Sequence, residues 1–317
     1  INQQLMTSVI FPGQGSQFVG MTKDFYDNFK EFKDVFLEIE DSTKINLKKI
    51  IFSDNPNLLN TTNYTQISIF AASIGIYKTL ESKYDFGLKI PKINFMLGHS
   101  LGEYSALAAS KALSISQASI LLQKRGELMN SAVTPNSTSM AALIGMNCEN
   151  IEEIIKINNL DIEIANDNSP GQVVISGSDE VLQNSEKVFT SAGIKKFVKL
   201  NVSAAFHSKF MIEAQEKLNL EIDKVKFTDP ICSIISNYDA SVNSTAKNII
   251  KNLKLQMSNR VRWTESIIEL EKNKENTIVE IGPGKVLSGL IKRISKKFDV
   301  ISINNIEDLE KLNFYER

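Results

Sequence analysis

Apolar positions along the chain fall into two rhythms. Short apolar runs at Ser8–Phe11, Phe95–Leu97, Pro230–Ser236, Thr277–Ile281 and Asp299–Ile303 are too brief for helices and read as strands covered on both faces. Longer stretches between them carry apolar residues at helical spacing. Phe25, Phe29, Phe32, Val35 and Phe36 recur among charged residues and predict one helix over 22–40 with an aromatic core stripe. Ile67, Phe70, Ala71, Ile74 and Tyr77 predict a more apolar helix over 63–82. Ile115–Asn130 predicts another, with Ile120, Leu121, Leu128 and Met129 on one side and Arg125 within it. A polar linker ends at Pro91. Further helices are expected from Ser203 to about Leu220, over 244–256, from Val261 to Glu271, and around Leu287, Leu290 and Ile291. Strands alternating with helices predict an α/β fold, a parallel sheet flanked by helices.

A middle section has an order of its own. The turn-rich Thr134–Ser139 marks a boundary. Strand-like Met140–Met146, a helix over Glu149–Asn158 and a strand at Ile162–Ala165 follow. Asn166–Gly171 reads as a tight turn, then come strand Gln172–Gly177, a helix over Asp179–Ala192 and strand Lys195–Leu200. This βαββαβ order is ferredoxin-like. The predicted organisation is a large α/β domain in two parts, 1–137 and 202–317, with a small ferredoxin-like domain, 138–201, inserted between them.

Composition narrows the function classes. A length of 317 residues fits about two domains. A net charge of −1 gives no general attraction to nucleic acid or to an anionic membrane, and neither partner is expected. No apolar run approaches the roughly 20 residues of a membrane span. Cys148 and Cys232 are far apart and lack metal or redox spacing. They are expected as two buried free thiols in a reducing compartment, and no metal site is expected.

The chemistry concentrates at Gly98-His99-Ser100-Leu101-Gly102, between an apolar run and the helix-like Ser105–Ala109. Gly-x-Ser-x-Gly in that setting is a nucleophile elbow, where a Cβ at either glycine would crowd the turn. A serine hydroxyl needs a base, and the chain has two histidines. His99 adjoins Ser100, and neighbouring side chains on a sharp turn point apart, so a structural role is expected for it. His207 is then the general base and acid. The aspartates between Ser100 and His207 (Asp161, Asp167, Asp179) fall in the small domain, and 110 residues follow His207. Both facts argue against the α/β-hydrolase triad order. No Asp-Gly pair supports a Ser–Asp dyad. The group orienting His207 is therefore open between a backbone carbonyl and a Gln or Asn side chain. Pro12–Gln17 is Gly-rich without phosphate-loop spacing, and can bring a backbone N–H close to a reacting atom.

Phe11–Gln17, Gly98–Tyr104, Asn168–Val174, Ala205–Ser208, Gln256 with Val261–Ser266, and Glu280–Gly284 occur in that order. With these motifs the chain resembles the malonyl-CoA:acyl carrier protein transacylases over nearly its whole length. The resemblance implies a large hydrolase-like domain and transfer of a malonyl group through a malonyl-serine on Ser100. It implies that His207 moves the protons and that the Gln256 carbonyl holds the His207 ring on the substrate-binding side. It further implies an oxyanion hole from the backbone N–H groups of Gln14 and Leu101, and a malonyl carboxylate gripped by Arg125. Asn166 would line the cleft, and the bulk of Phe206 would disfavour a methyl-branched acyl group. Malonyl-CoA and CoA are substrate and product, and no cofactor is implied. The partner is an acidic acyl carrier protein, with Lys292, Arg293, Lys296 and Lys297 expected as a docking cluster on the last long helix, and Lys195 and Lys196 as another basic pair. A monomer is expected. The rival readings are an acyl-CoA thioesterase or serine hydrolase with the same Ser–His pair, and a non-catalytic subunit with a vestigial site. A chain beginning at Ile1 and leaning to Asn, Lys and Ile tilts the expected compartment from a bacterial cytoplasm toward a plastid-type organelle such as an apicoplast.

Overall fold

Five consecutive buried residues, Thr7–Phe11, make the central strand of the molecule. The computed structural model describes residues 6–87 and 92–316; the linker ending at Pro91 lies outside the described residues. The strands are β1 Thr7–Phe11, β2 Ile93–Gly98, β3 Thr138–Ile144, β4 Ile162–Ser169, β5 Gln172–Ser178, β6 Lys196–Lys199, β7 Ser233–Ile235, β8 Val242–Asn243, β9 Val261–Arg262, β10 Thr277–Ile281 and β11 Asp299–Ile303. They form two sheets, ordered β11-β10-β1-β2-β7-β8 and β6-β3-β5-β4-β9. The first sheet is parallel except for β8, which runs antiparallel to β7. Its inner strands are apolar on both faces because helices cover both. The second sheet begins as β3-α-β4-β5-α-β6 with spatial order β6-β3-β5-β4, the ferredoxin-like arrangement.

The helices are α1 Lys23–Asn28, α2 Lys30–Thr43, α3 Leu47–Ile51, α4 Pro56–Leu59, α5 Thr62–Tyr84, α6 Gly102–Ala109, α7 Ile115–Ser131, α8 Cys148–Ile157, α9 Asp179–Ser191, α10 Ile212–Ile222, α11 Ala246–Gln256, α12 Trp263–Lys272 and α13 Val286–Ile294. α5 is buried nearly all round, as expected of a helix enclosed by neighbours. Side chains of Ser114, Asn147 and Ser178 accept from backbone N–H groups at the starts of α7, α8 and α9, satisfying donors that a helix leaves free.

Several expectations change. The helix predicted over 22–40 is two helices, broken at Phe29, whose backbone is extended (φ −122°, ψ 122°). The break folds the aromatic stripe onto itself, with the Phe25 and Phe29 rings 5.6 Å apart. Asn166–Ser169 is not a turn but the second half of β4, paired to β5 on one side. On its other side β4 pairs with β9, a strand supplied by the large domain. The residues after His207 first form a 3₁₀ turn, Lys209–Met211, before α10. Ile120 faces solvent, and Cys232 is only half-buried. The α13 helix ends at Ile294, so Lys296 and Lys297 lie beyond it, and Lys297 pairs with Glu271. No helix among the described residues is long and apolar enough to cross a membrane.

Candidate active site

β2 ends at Gly98, and α6 starts at Gly102. Between them Ser100 sits in the left-handed region, at φ 54°. That conformation costs an L-residue about 1–2 kcal/mol. Glycine is required at this crossing by close approach. A Cβ on Gly98 would lie 1.9 Å from the Gly102 oxygen, and one on Gly102 would lie 2.3 Å from the Phe11 oxygen. The β1 loop reaches the elbow through Gly13, where a Cβ would lie 2.4 Å from the His99 oxygen.

The Ser100 hydroxyl donates to His207 Nε2 at 2.9 Å. His207 Nδ1 faces two acceptor-only carbonyls, Gln256 and Asn259, each at 3.1 Å. Those carbonyls demand a proton on Nδ1, which leaves Nε2 free to accept from Ser100. Burial, with the Arg125 guanidinium beside it, holds the His207 pKa down to about 3. The imidazole is therefore neutral at neutral pH, the form a general base needs. His99 does not reach the nucleophile. Its Nε2 meets Asn168 Oδ1 at 2.7 Å, and its ring lies 5.6 Å from that of Trp263.

Arg125, only 1% exposed, comes up beneath Ser100 from α7. Its Nη2 donates to Ser100 Oγ at 3.0 Å and to Gln256 Oε1 at 3.1 Å, and its Nη1 donates to Gln66 Oε1 at 2.7 Å. Among the described residues no carboxylate is in ion-pair contact with it, and its Nε has no partner. The buried Glu103 carboxylate stands behind Gln256 and attracts the guanidinium without touching it, so Arg125 keeps donor capacity for an anionic ligand.

In front of Ser100 lies a cavity of about 290 Å³. Gln14, Asn166, Phe206 and His207 line it, with Met129 and Met140 among its apolar walls. Arg125 is not in this lining; it sits one layer deeper and meets the cavity through the Ser100 oxygen. The backbone N–H groups of Gln14 and Leu101 donate to no other protein group among the described residues. Leu101 stands at the start of α6, where free N–H groups and the helix dipole favour developing negative charge.

The basic cluster is placed elsewhere. Ser100 follows the end of β2, at the carboxyl edge of the parallel sheet. Lys296 and Lys297 precede the start of β11, at the opposite edge. Lys292 and Arg293 are exposed on the last turn of α13, the end of the helix that leads back toward that same edge.

Sequence reading missed several groups here, three of them buried and Asn168 and Asn259 half-buried. Gln66, Glu103, Asn168, Asn237 and Asn259 all bond the site residues. The available signal was a polar residue in an apolar setting, as at Gln66 within apolar α5.

The model of the acyl transferase domain family matches residues 9–311. A malonyl CoA-acyl carrier protein transacylase of Bacillus subtilis is 37% identical over 305 residues, 95% of this chain and 94% of that protein. One of Staphylococcus aureus is 34% identical over 311 residues, 97% of this chain and 98% of that protein. A crystal structure of an acyl-carrier-protein S-malonyltransferase from Bartonella henselae superposes with a TM-score of 0.93 at 37% identity, covering 99% of this chain and 100% of that one. A malonyl-transacylase solved in complex with a type II PKS acyl-carrier protein gives a TM-score of 0.91 at 33% identity, covering 96% of this chain and 98% of that one.

Proposed function

The chain belongs to the acyl transferase domain family, and we propose on that premise that it moves the malonyl group of malonyl-CoA onto the phosphopantetheine thiol of an acyl carrier protein, supplying fatty-acid synthesis. The observation that carries this reading is Arg125, a buried guanidinium that touches no carboxylate among the described residues and is hydrogen-bonded to the nucleophile's own oxygen.

Ser100 Oγ attacks the thioester carbonyl while its proton passes to His207 Nε2. The oxyanion is received by the N–H groups of Gln14 and Leu101, each such donor being worth about 3–4 kcal/mol. The C–S bond then breaks, and His207 returns the proton to the departing CoA sulfur. A malonyl ester on Ser100 carries its carboxylate only a few bonds from an oxygen that Arg125 already touches. A bidentate Arg–carboxylate pair there would replace the bonds to Ser100 and Gln256. The carrier thiol reverses the steps. Phe206 restricts branching at the acyl carbon, and Asn166 faces the acyl group from the small sheet. Every group in this scheme comes from one chain, and we take the monomer as the active unit. Lys292 and Arg293 are the basic residues we assign to the carrier, because both are exposed on α13 whereas Lys297 is held by Glu271. The compartment is one that keeps thiols reduced; the plastid-type reading rests on composition, and the relatives named above are bacterial. Those relatives also do not favour a thioesterase.

The test is intact mass. Malonyl-CoA should add one malonyl group to the protein, the carrier should discharge it, and Ser100→Ala should stay unlabelled. Labelled Ser100→Ala, or discharge to water as fast as to the carrier, would overturn the reading.

A further inference from the structure

The elbow is held from behind by groups that the scheme above does not use. β2 and β7 pair only at Phe95–Ser233 and Met96–Ile234. Beyond that point the side chain of Asn237 continues the ladder. Its Nδ2 donates to the Gly98 carbonyl at 2.7 Å, and its Oδ1 accepts from the Ser100 N–H at 2.8 Å. The amide stands where the next peptide of β7 would stand. On the other side, Gln256 Nε2 donates to the Ser100 carbonyl at 2.8 Å. Both main-chain groups of the strained serine are thus bonded to buried side-chain amides.

The Gln256 side-chain amide and the Asn237 main-chain N–H meet one carboxylate. Glu103 Oε2 accepts from Gln256 Nε2 at 2.8 Å and from the Asn237 N–H at 3.3 Å. Glu103 and Gln256 are each 1% exposed, Asn237 is fully buried, and none of the three lines the cavity in front of Ser100. An acceptor-only carboxylate turns the N–H end of Gln256 toward itself, which leaves Gln256 Oε1 to receive Arg125. Without it, the same amide could present N–H groups to the guanidinium.

We infer that Glu103 is a positioning residue for the transfer, acting through Asn237 on the left-handed conformation of Ser100 and through Gln256 on the aim of Arg125. The inference rests on the reading above for its substrate and on hydrogen-bond geometry for its mechanism. Burial pushes the Glu103 pKa up to about 7, so work at pH 8 keeps the carboxylate ionised.

Single-turnover acylation of Glu103→Gln and Asn237→Ala tests it, reading burst rate and burst amplitude separately. Both variants should acylate about tenfold or more slowly per active site, as expected for a nucleophile displaced from its attack geometry. Asn237→Ala should keep its KM for malonyl-CoA and its malonyl-over-acetyl preference. Glu103→Gln should also lose part of that preference. A wild-type burst rate in Glu103→Gln would overturn the inference. So would a loss confined to burst amplitude, which marks misfolded protein rather than misplaced groups. Should Glu103→Gln fail to fold, Glu103→Asp, which keeps the charge and draws it back from Gln256 and Asn237, carries the test with the same expected slowing. Phenylmethylsulfonyl fluoride, which reports an activated serine whatever its natural acyl group, is run in parallel. Wild-type protein that reacts with it but takes no malonyl group sinks the functional reading, and the variants' sulfonylation rates still decide the positioning role.

Discussion

Ser100 and His207 both occupy the left-handed region, at φ 54° and 53°. Strain of this kind, about 1–3 kcal/mol per residue, persists where surrounding contacts over-determine the conformation. His207 shows what else the surroundings impose. An unfolded chain protonates it near 6.5, whereas the folded one resists down to about 3. Between those values the unfolded state holds the extra proton, so this residue's contribution to stability falls as pH drops through the window and is constant above it. Activity follows the folded value: kcat/KM for Ser100 malonylation should show no His207 titration near pH 6.5. A pH profile with an acid limb there that survives Glu103→Gln would show His207 to be solvated while it works. Arg125 has a different signature. On the proposed role, Arg125→Ala removes the partner of the acyl carboxylate, so transfer from malonyl-CoA should fall by at least about tenfold relative to acetyl-CoA. Competition between the two thioesters measures the ratio, and an unchanged ratio removes Arg125 from that role. The pairing of His207 with Ser100 was legible in the sequence because one of two histidines could be excluded by turn geometry. Glu103 and Asn237 were not, because their importance lies in hydrogen bonds between residues more than a hundred positions apart.

At the scale of elements, α13 divides the basic cluster. Its last turn presents Lys292 and Arg293, while Lys296 and Lys297 fall past its end, one of them spent on Glu271. Charge reversal at Lys292 and Arg293 should raise the KM for the carrier more than that for malonyl-CoA, because complementary charge steers a protein partner. The same reversal at Lys296 and Lys297 should leave both values close to wild type. Steady-state kinetics with the two thioesters varied in turn separates the cases, and equal effects from both pairs would count against docking on α13. β4 teaches a related lesson about what local sequence conveys. Asn166-Asp167-Asn168-Ser169 has the composition of a turn, yet it is strand, because β5 and β9 supply partners on both sides. Turn propensity is local and strand pairing is not. By contrast, β1, β2 and β10 were legible because burial on both faces writes itself into an unbroken apolar run.

For the whole molecule, the alternation of strands and helices disclosed the α/β body, and the βαββαβ order disclosed the second sheet. What stayed hidden was the seam between them. β9 is two residues long, too short to carry a pattern, and it leaves the body to pair Val261 with Asn166 and Arg262 with Asp167. Thr264 adds a hydroxyl bond to Asp167 at 2.9 Å. The smaller sheet is thereby tied to the body at a third place, besides the two chain crossings on either side of it. A lid that swings on two crossings would have to tear this seam each time it opened. Asn166 and Ser100, which line one cavity, are thus joined across it by strand pairing as well as by the course of the chain.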